Sequence, residues 1–190
     1  MSAHRRPCQN ASRGSTAPCL RPQDLAAAVV LALPDMSAWT YASLALRLEL
    51  SASEAHAAVK RSGMAGLVRG RAVDRRALLE FLEHGVRYAF YAIRGAPTRG
   101  IPTGVLAPPL NVLMSAKEGP VWPNADGGAR GYALEPLYWT APAAARRDTT
   151  VHEVLALIDA LREGGVRERE LGMRELRLRL EGPAGTTGDG

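Results

Sequence analysis

The apolar positions of this chain fall into runs of different period. Leu25–Leu33 is apolar throughout, which predicts a helix buried on most sides, opened by Asp24 as a cap and ended by Pro34. From Ala38 to Leu48 the pattern thins. Tyr41, Leu44, Ala45 and Leu48 recur at spacings of three and four, as in a helix with one inward face, with Ser37 as its candidate cap. Glu49-Leu50-Ser51 breaks that period and predicts a tight turn. A third helix follows to about Arg61, with Ala55, Ala58 and Val59 inward. Ser51 or Ser53 is placed to cap it. Ser51 and Glu54 have capping-box spacing, in which each side chain accepts a hydrogen bond from the other's backbone amide.

Beyond Ser62 the elements shorten. Leu67-Val68 and Ala72-Val73 flank Arg69-Gly70-Arg71, which predicts a small hairpin. Asp74 is placed to cap a helix over Arg75–His84, with Ala77, Leu78, Phe81 and Leu82 inward and Gly85 as its stop. Val86–Ile93 mixes β-branched and aromatic residues and predicts a strand. Most of the 13 prolines lie between Arg94 and Arg147, among many glycines. That excludes long helices and predicts an ordered but irregular segment, because Trp122, Tyr132, Tyr138 and Trp139 need packing partners. Thr149–Glu163 is amphipathic, with Val151, Val154, Leu155, Ile158 and Leu161 on one stripe. Arg167–Leu180 reads as a charged helix with thin apolar support. The fold class expected is mainly α with a few short strands, α+β.

Charge adds a direction to this outline. The formal net charge is only +5, with 46% hydrophobic and 23% charged residues, ordinary values for a soluble globular protein. The basic residues are nevertheless uneven. Lys60 to Arg76 holds six against the single acid Asp74, whereas Thr149 onward holds six against eight acids. An anionic partner is therefore expected for residues 39–76.

Several classes drop out. Cys8 and Cys19 lie in an unpatterned N-terminal stretch with no histidine at ligand spacing. No zinc site or disulfide framework is expected, and a reducing cytoplasm is the simplest setting. The longest apolar run is nine residues, short of the roughly 20 that span a bilayer, so no membrane partner is expected. The four histidines stand apart at positions 4, 56, 84 and 152. There is no Gly-rich phosphate loop, no metal-spaced cluster and no nucleophile elbow. No catalytic residue, metal or cofactor is expected, and the chain does not read as an enzyme.

The stretch from Trp39 to about Arg87 resembles the winged helix-turn-helix of bacterial transcriptional regulators, in the broad group of MarR-like repressors. Thr40, Tyr41, Leu44, Ala45, Leu48, Leu50, Ser51, Ser53 and Lys60-Arg61 carry the resemblance, followed by Gly66-Leu67-Val68 at the start of a wing. Two positions depart from the family pattern: Glu49 stands where glycine is usual in the turn, and Ala55 where a larger aliphatic is usual. The resemblance implies a sequence-specific DNA-binding regulator, a dimeric repressor whose helix 51–61 lies in the major groove of double-stranded DNA. The DNA-binding residues it implies are Thr40, Tyr41, Ser51, Ser53, His56, Ala57, Lys60 and Arg61, with Arg69 and Arg71 on the wing.

The organisation expected is a disordered basic arm over 1–21 and a winged helix-turn-helix domain over 22–93. A Pro/Gly-rich effector or partner region over 94–147 follows, then C-terminal helices over 148–181 and a flexible tail over 182–190. The Val151–Leu161 stripe is the expected homodimer contact. Arg94, Arg99 and Arg130 form a candidate pocket for a small anionic effector. The alternative is a protein-interaction or antitoxin-like module that binds a partner protein and autoregulates its operon.

Overall fold

The computed structural model describes residues 19–181. The expected basic arm lies outside the described residues except for its last three, and the expected tail lies outside them entirely.

Helix α1 (Pro22–Leu31) starts on a proline, whose missing amide hydrogen costs nothing there. The Asp24 carboxylate accepts from the Arg21 amide at 2.8 Å. A 3₁₀ turn over Pro34–Met36 leads to α2 (Tyr41–Leu48). This helix starts later than Ala38 because Thr40, and not Ser37, caps it. The Thr40 hydroxyl accepts from the Ser43 amide at 3.1 Å, and the Ser43 hydroxyl accepts from the Thr40 amide at 2.9 Å. Glu49 turns the chain in the left-handed region, with φ at 53°. Helix α3 (Ala52–Met64) is capped by Ser51 through the expected box with Glu54 and buries Ala55, Ala58, Val59 and Ser62. Strands β1 (Val68–Arg69) and β2 (Ala72–Val73) pair antiparallel, Val68 opposite Val73. Gly70, at φ 62°, takes the left-handed first position of that two-residue turn. Helix α4 (Arg75–His84) follows, its Ala77 amide donating to Asp74 at 3.0 Å.

Two expectations fail past this point. Val86–Ile93 is not a strand: α5 (Val86–Ala89) is a helical turn, and strand β3 (Arg94–Pro102) begins only afterwards. Of the large side chains there, Val86 is buried while Tyr88, Tyr91 and Ile93 are exposed. The aromatic and β-branched residues meet no sheet, and helical bonds back to Gly85 and Val86 prevail. The segment 94–147 is not irregular either. Besides β3 it holds α6 (Leu110–Leu113), β4 (Pro120–Pro123), β5 (Ala129–Leu134) and α7 (Ala141–Arg147). Strand β3 runs antiparallel to both β4 and β5, which pair with each other in parallel, so the three strands close on themselves. Glycine makes that closure possible. A Cβ on Gly100 would overlap the Trp122 carbonyl, and one on Gly131 the Gly119 carbonyl.

Helix α8 (Thr149–Glu163) is the centre of the molecule. Val151 and every residue from Val154 to Leu161 are buried. It packs on α1, α4, α5, α7 and on α9 (Val166–Glu181). The stripe expected to form a dimer contact is thus covered by the chain itself, with neighbours on all sides. The fold is mainly helical with a few short strands, α+β, and one apolar core runs from Leu25 to Leu180. The buried Asp159 ties the strands to α8, accepting from Thr103 Oγ1 and Trp122 Nε1, both at 2.7 Å, and pairing with Arg162.

Candidate nucleic-acid interface

Helices α2 and α3 expose one shared surface beside the β1–β2 hairpin. On α3 the buried positions leave Ala52, Ser53, Glu54, His56, Lys60, Gly63 and Met64 exposed and Ala57 and Arg61 half-buried. Between Glu54, which is folded onto the cap, and Lys60 the exposed side chains are short or planar, so this part of the helix presents a slim ridge. Between that ridge and the hairpin lies a groove of about 430 Å³ lined by Tyr41, His56, Val59, Lys60, Gly63, Val68 and Gly70. Tyr41 packs its ring edge-on against the buried Trp39 at 5.2 Å and, tilted, against His56 at 4.9 Å. An aromatic stack therefore fixes one wall. Lys60 makes no ion pair or side-chain hydrogen bond among the described residues and stands at the groove as an uncommitted cation.

Other expected contacts are already in use. Arg61 is turned inward, its Nε and Nη2 each 2.7 Å from the fully buried carboxylate of Asp24. It is a structural residue and not a phosphate contact, because removing it would leave that buried charge unanswered. Arg71 folds back over the Trp39 ring, 4.4 Å from its centroid, and donates to the Trp39 carbonyl. Trp39 Nε1 donates in return to the Arg71 carbonyl at 3.2 Å. Arg71 therefore pins the hairpin to the start of α2 instead of reaching outward. The Thr40 hydroxyl is committed to its cap. Ser51 is likewise a cap, with Glu54 Oε2 2.9 Å from its amide and 2.7 Å from its hydroxyl. That hydroxyl, and then the amide, hold the Glu54 carboxyl below the usual range. Arg69 remains 80% exposed, loosely paired with Asp74 at 3.0 Å. The Ala77 amide first, with Arg69 assisting, keeps the Asp74 carboxyl low.

The three arginines of the expected effector pocket separate in the same way. Arg94 pairs with Glu163 and lies over the Tyr132 ring, 4.8 Å from its centroid. Arg99 and Arg130 do come together, opposite each other on β3 and β5 at the wall of a cleft.

The sequence matches no family model, and no curated protein or solved structure matches the chain.

Several supporting contacts carry no sequence signal. The Leu48 carbonyl, at the end of α2, accepts from Tyr138 Oη at 3.2 Å and from Thr140 Oγ1 at 3.3 Å. Arg47 bridges Asp35 at 2.8 Å and Asp148 at 2.6 Å. Arg147 lies 2.9 Å from Glu49 in the turn. Distant chain thus braces the α2–α3 turn from behind, while its outer face stays open. Gly63 and Gly70, which shape the groove, were visible as glycines but not as neighbours.

Proposed function

We propose that the chain is a sequence-specific binder of double-stranded DNA, a winged helix-turn-helix regulator with α3 as the reading helix and the β1–β2 hairpin as the wing. The observation that carries this reading is the free outer face of α3, slim along Ala52, Ser53, His56 and Ala57 and followed by the uncommitted Lys60. A helix of 13 residues is about 20 Å long, and its short side chains suit a major groove about 12 Å wide. Ser53 and His56 are the exposed groups with hydrogen-bonding capacity for base edges. Lys60 and Arg69 flank the groove between helix and hairpin, where a sugar-phosphate strand would pass. Two-fold operators call for a homodimer, and its contact would use a surface other than α8. Regulation by repression is the form we favour.

The test is a mobility shift with the DNA upstream of the chain's own gene over a range of salt. Lys60→Ala should weaken binding uniformly and lower the slope of log affinity against log salt by about one. An unchanged affinity and slope in that variant would remove α3 from the interface. The second reading, a protein-interaction or antitoxin-like module, is favoured by the exposed Tyr88, Tyr91 and Ile93, clustered in six residues of chain at 73%, 53% and 51% exposure. Absence of any salt-sensitive shift, with a protein that co-purifies stoichiometrically, would select it.

A further inference from the structure

Arg99 and Arg130 are direct partners across the antiparallel pair β3–β5. Residues so placed share one face with their Cβ atoms about 5 Å apart, and like charges there are destabilising. Folded proteins usually quench such a pair with a carboxylate. Here neither guanidinium makes an ion pair, side-chain hydrogen bond or ring contact among the described residues. Both are exposed, and both border an open cleft of about 510 Å³, within the range of small-ligand sites. The next pair along the same face is Pro97 opposite Tyr132, which gives the cleft an apolar floor. The far wall is Glu118-Gly119, held close over β5 by the Tyr132 amide donating to the Gly119 carbonyl at 3.3 Å. Glu118 too is without a partner among the described residues.

We propose that this cleft binds a small phosphorylated molecule. Its phosphate would be gripped by the guanidinium forks of Arg99 and Arg130, and an amino or hydroxyl donor on its organic part would be met by Glu118. A dianion with three terminal oxygens accepts from two forks at once and cancels the cross-strand repulsion, which a monovalent ion cannot do as fully. The cleft lies on the three-stranded unit, away from α3, and the inference does not rest on the DNA-binding reading.

Calorimetric titration of the full chain with inorganic phosphate, and then with O-phosphoethanolamine, tests it. Saturable binding of both is expected, tighter for the amine. Arg99→Gln and Arg130→Gln should each weaken it by roughly tenfold or more, while Arg76→Gln, outside the cleft, leaves it unchanged. Glu118→Gln should tighten inorganic phosphate and abolish the preference for the amine. In phosphate-free buffer Arg130→Gln should melt above the wild type, and phosphate should raise the melting temperature of the wild type alone. This keeps the test meaningful should one variant fold poorly. Absence of saturable binding, or affinities unaffected by both arginine substitutions, would overturn the proposal. If phosphate fails to bind and the chain carrying both Arg99→Gln and Arg130→Gln loses a DNA shift, the arginines are DNA contacts and the small-ligand site is refuted. A DNA-binding failure with phosphate binding intact would leave this site standing.

Discussion

Asp24 is fully buried, and Arg61 answers its charge with two parallel hydrogen bonds from α3. Its neighbour Lys60, one position earlier on the same helix, answers nothing. Arg61→Ala should therefore cost about 3–5 kcal/mol of stability, the usual penalty for orphaning a buried charge. Lys60→Ala should stay within about 0.5 kcal/mol, as an exposed substitution. Urea unfolding of the two variants checks this, and a large loss for Lys60→Ala would contradict the partition. In sequence the two side chains look equivalent, a basic pair closing a helix. Asp24 lies 37 residues away, and no local pattern announces the pairing. The same holds for Arg71, committed to Trp39, and for Arg75, whose guanidinium donates to the Leu180 and Ala32 carbonyls. The positive charge of residues 60–76 was legible; which cations are free was not.

At the scale of elements, the α2–α3 turn depends on Glu49 in the left-handed region, where a side chain costs roughly 1–2 kcal/mol relative to glycine. Its contact with Arg147 involves a partner that is 65% exposed, and such pairs contribute little. Glu49→Gly should therefore stabilise the protein by about 0.5–1 kcal/mol, read as a rise in the urea midpoint; a fall would mean that Arg147 matters more to the turn than exposure suggests. Helices α1 to α4 were readable because caps and periodicity are local: Ser51 with Glu54, Asp74 with Ala77, Leu44 with Leu48. The three-stranded unit was not, because its pairings are long-range. Its glycines read as breakers of structure, whereas Gly100 and Gly131 are what let neighbouring backbones touch. The Val86–Ile93 stretch misled in the opposite sense, since its strand-like composition has no sheet to join.

Across the whole molecule, Arg47 links α2 to the Pro34–Met36 turn and, through Asp148, to the start of α8. Burial alone would raise the Asp148 carboxyl, but the Val151 amide and Arg47 together outweigh it and hold the group below its usual value. A carboxyl depressed in the folded state contributes stability above its unfolded value, near 3.9. That contribution is lost as pH falls through the folded value. Asp148→Asn should therefore cost about 2 kcal/mol at neutral pH, and should flatten the loss of stability below about pH 4. Urea midpoints measured across that window decide it; an acid limb as steep in the variant as in the wild type would place the sensitivity elsewhere.

The position of α8 also bears on how the protein comes to exist. During synthesis α3 leaves the ribosome well before α8, the helix that backs α1, α4 and α5. Until α8 arrives, the faces those helices turn towards it are uncovered, although α1 can already pack on α2 and α3. A chain broken before α8 therefore lacks the helix that completes the core, and the candidate surface on α3 would rest on an unfinished scaffold.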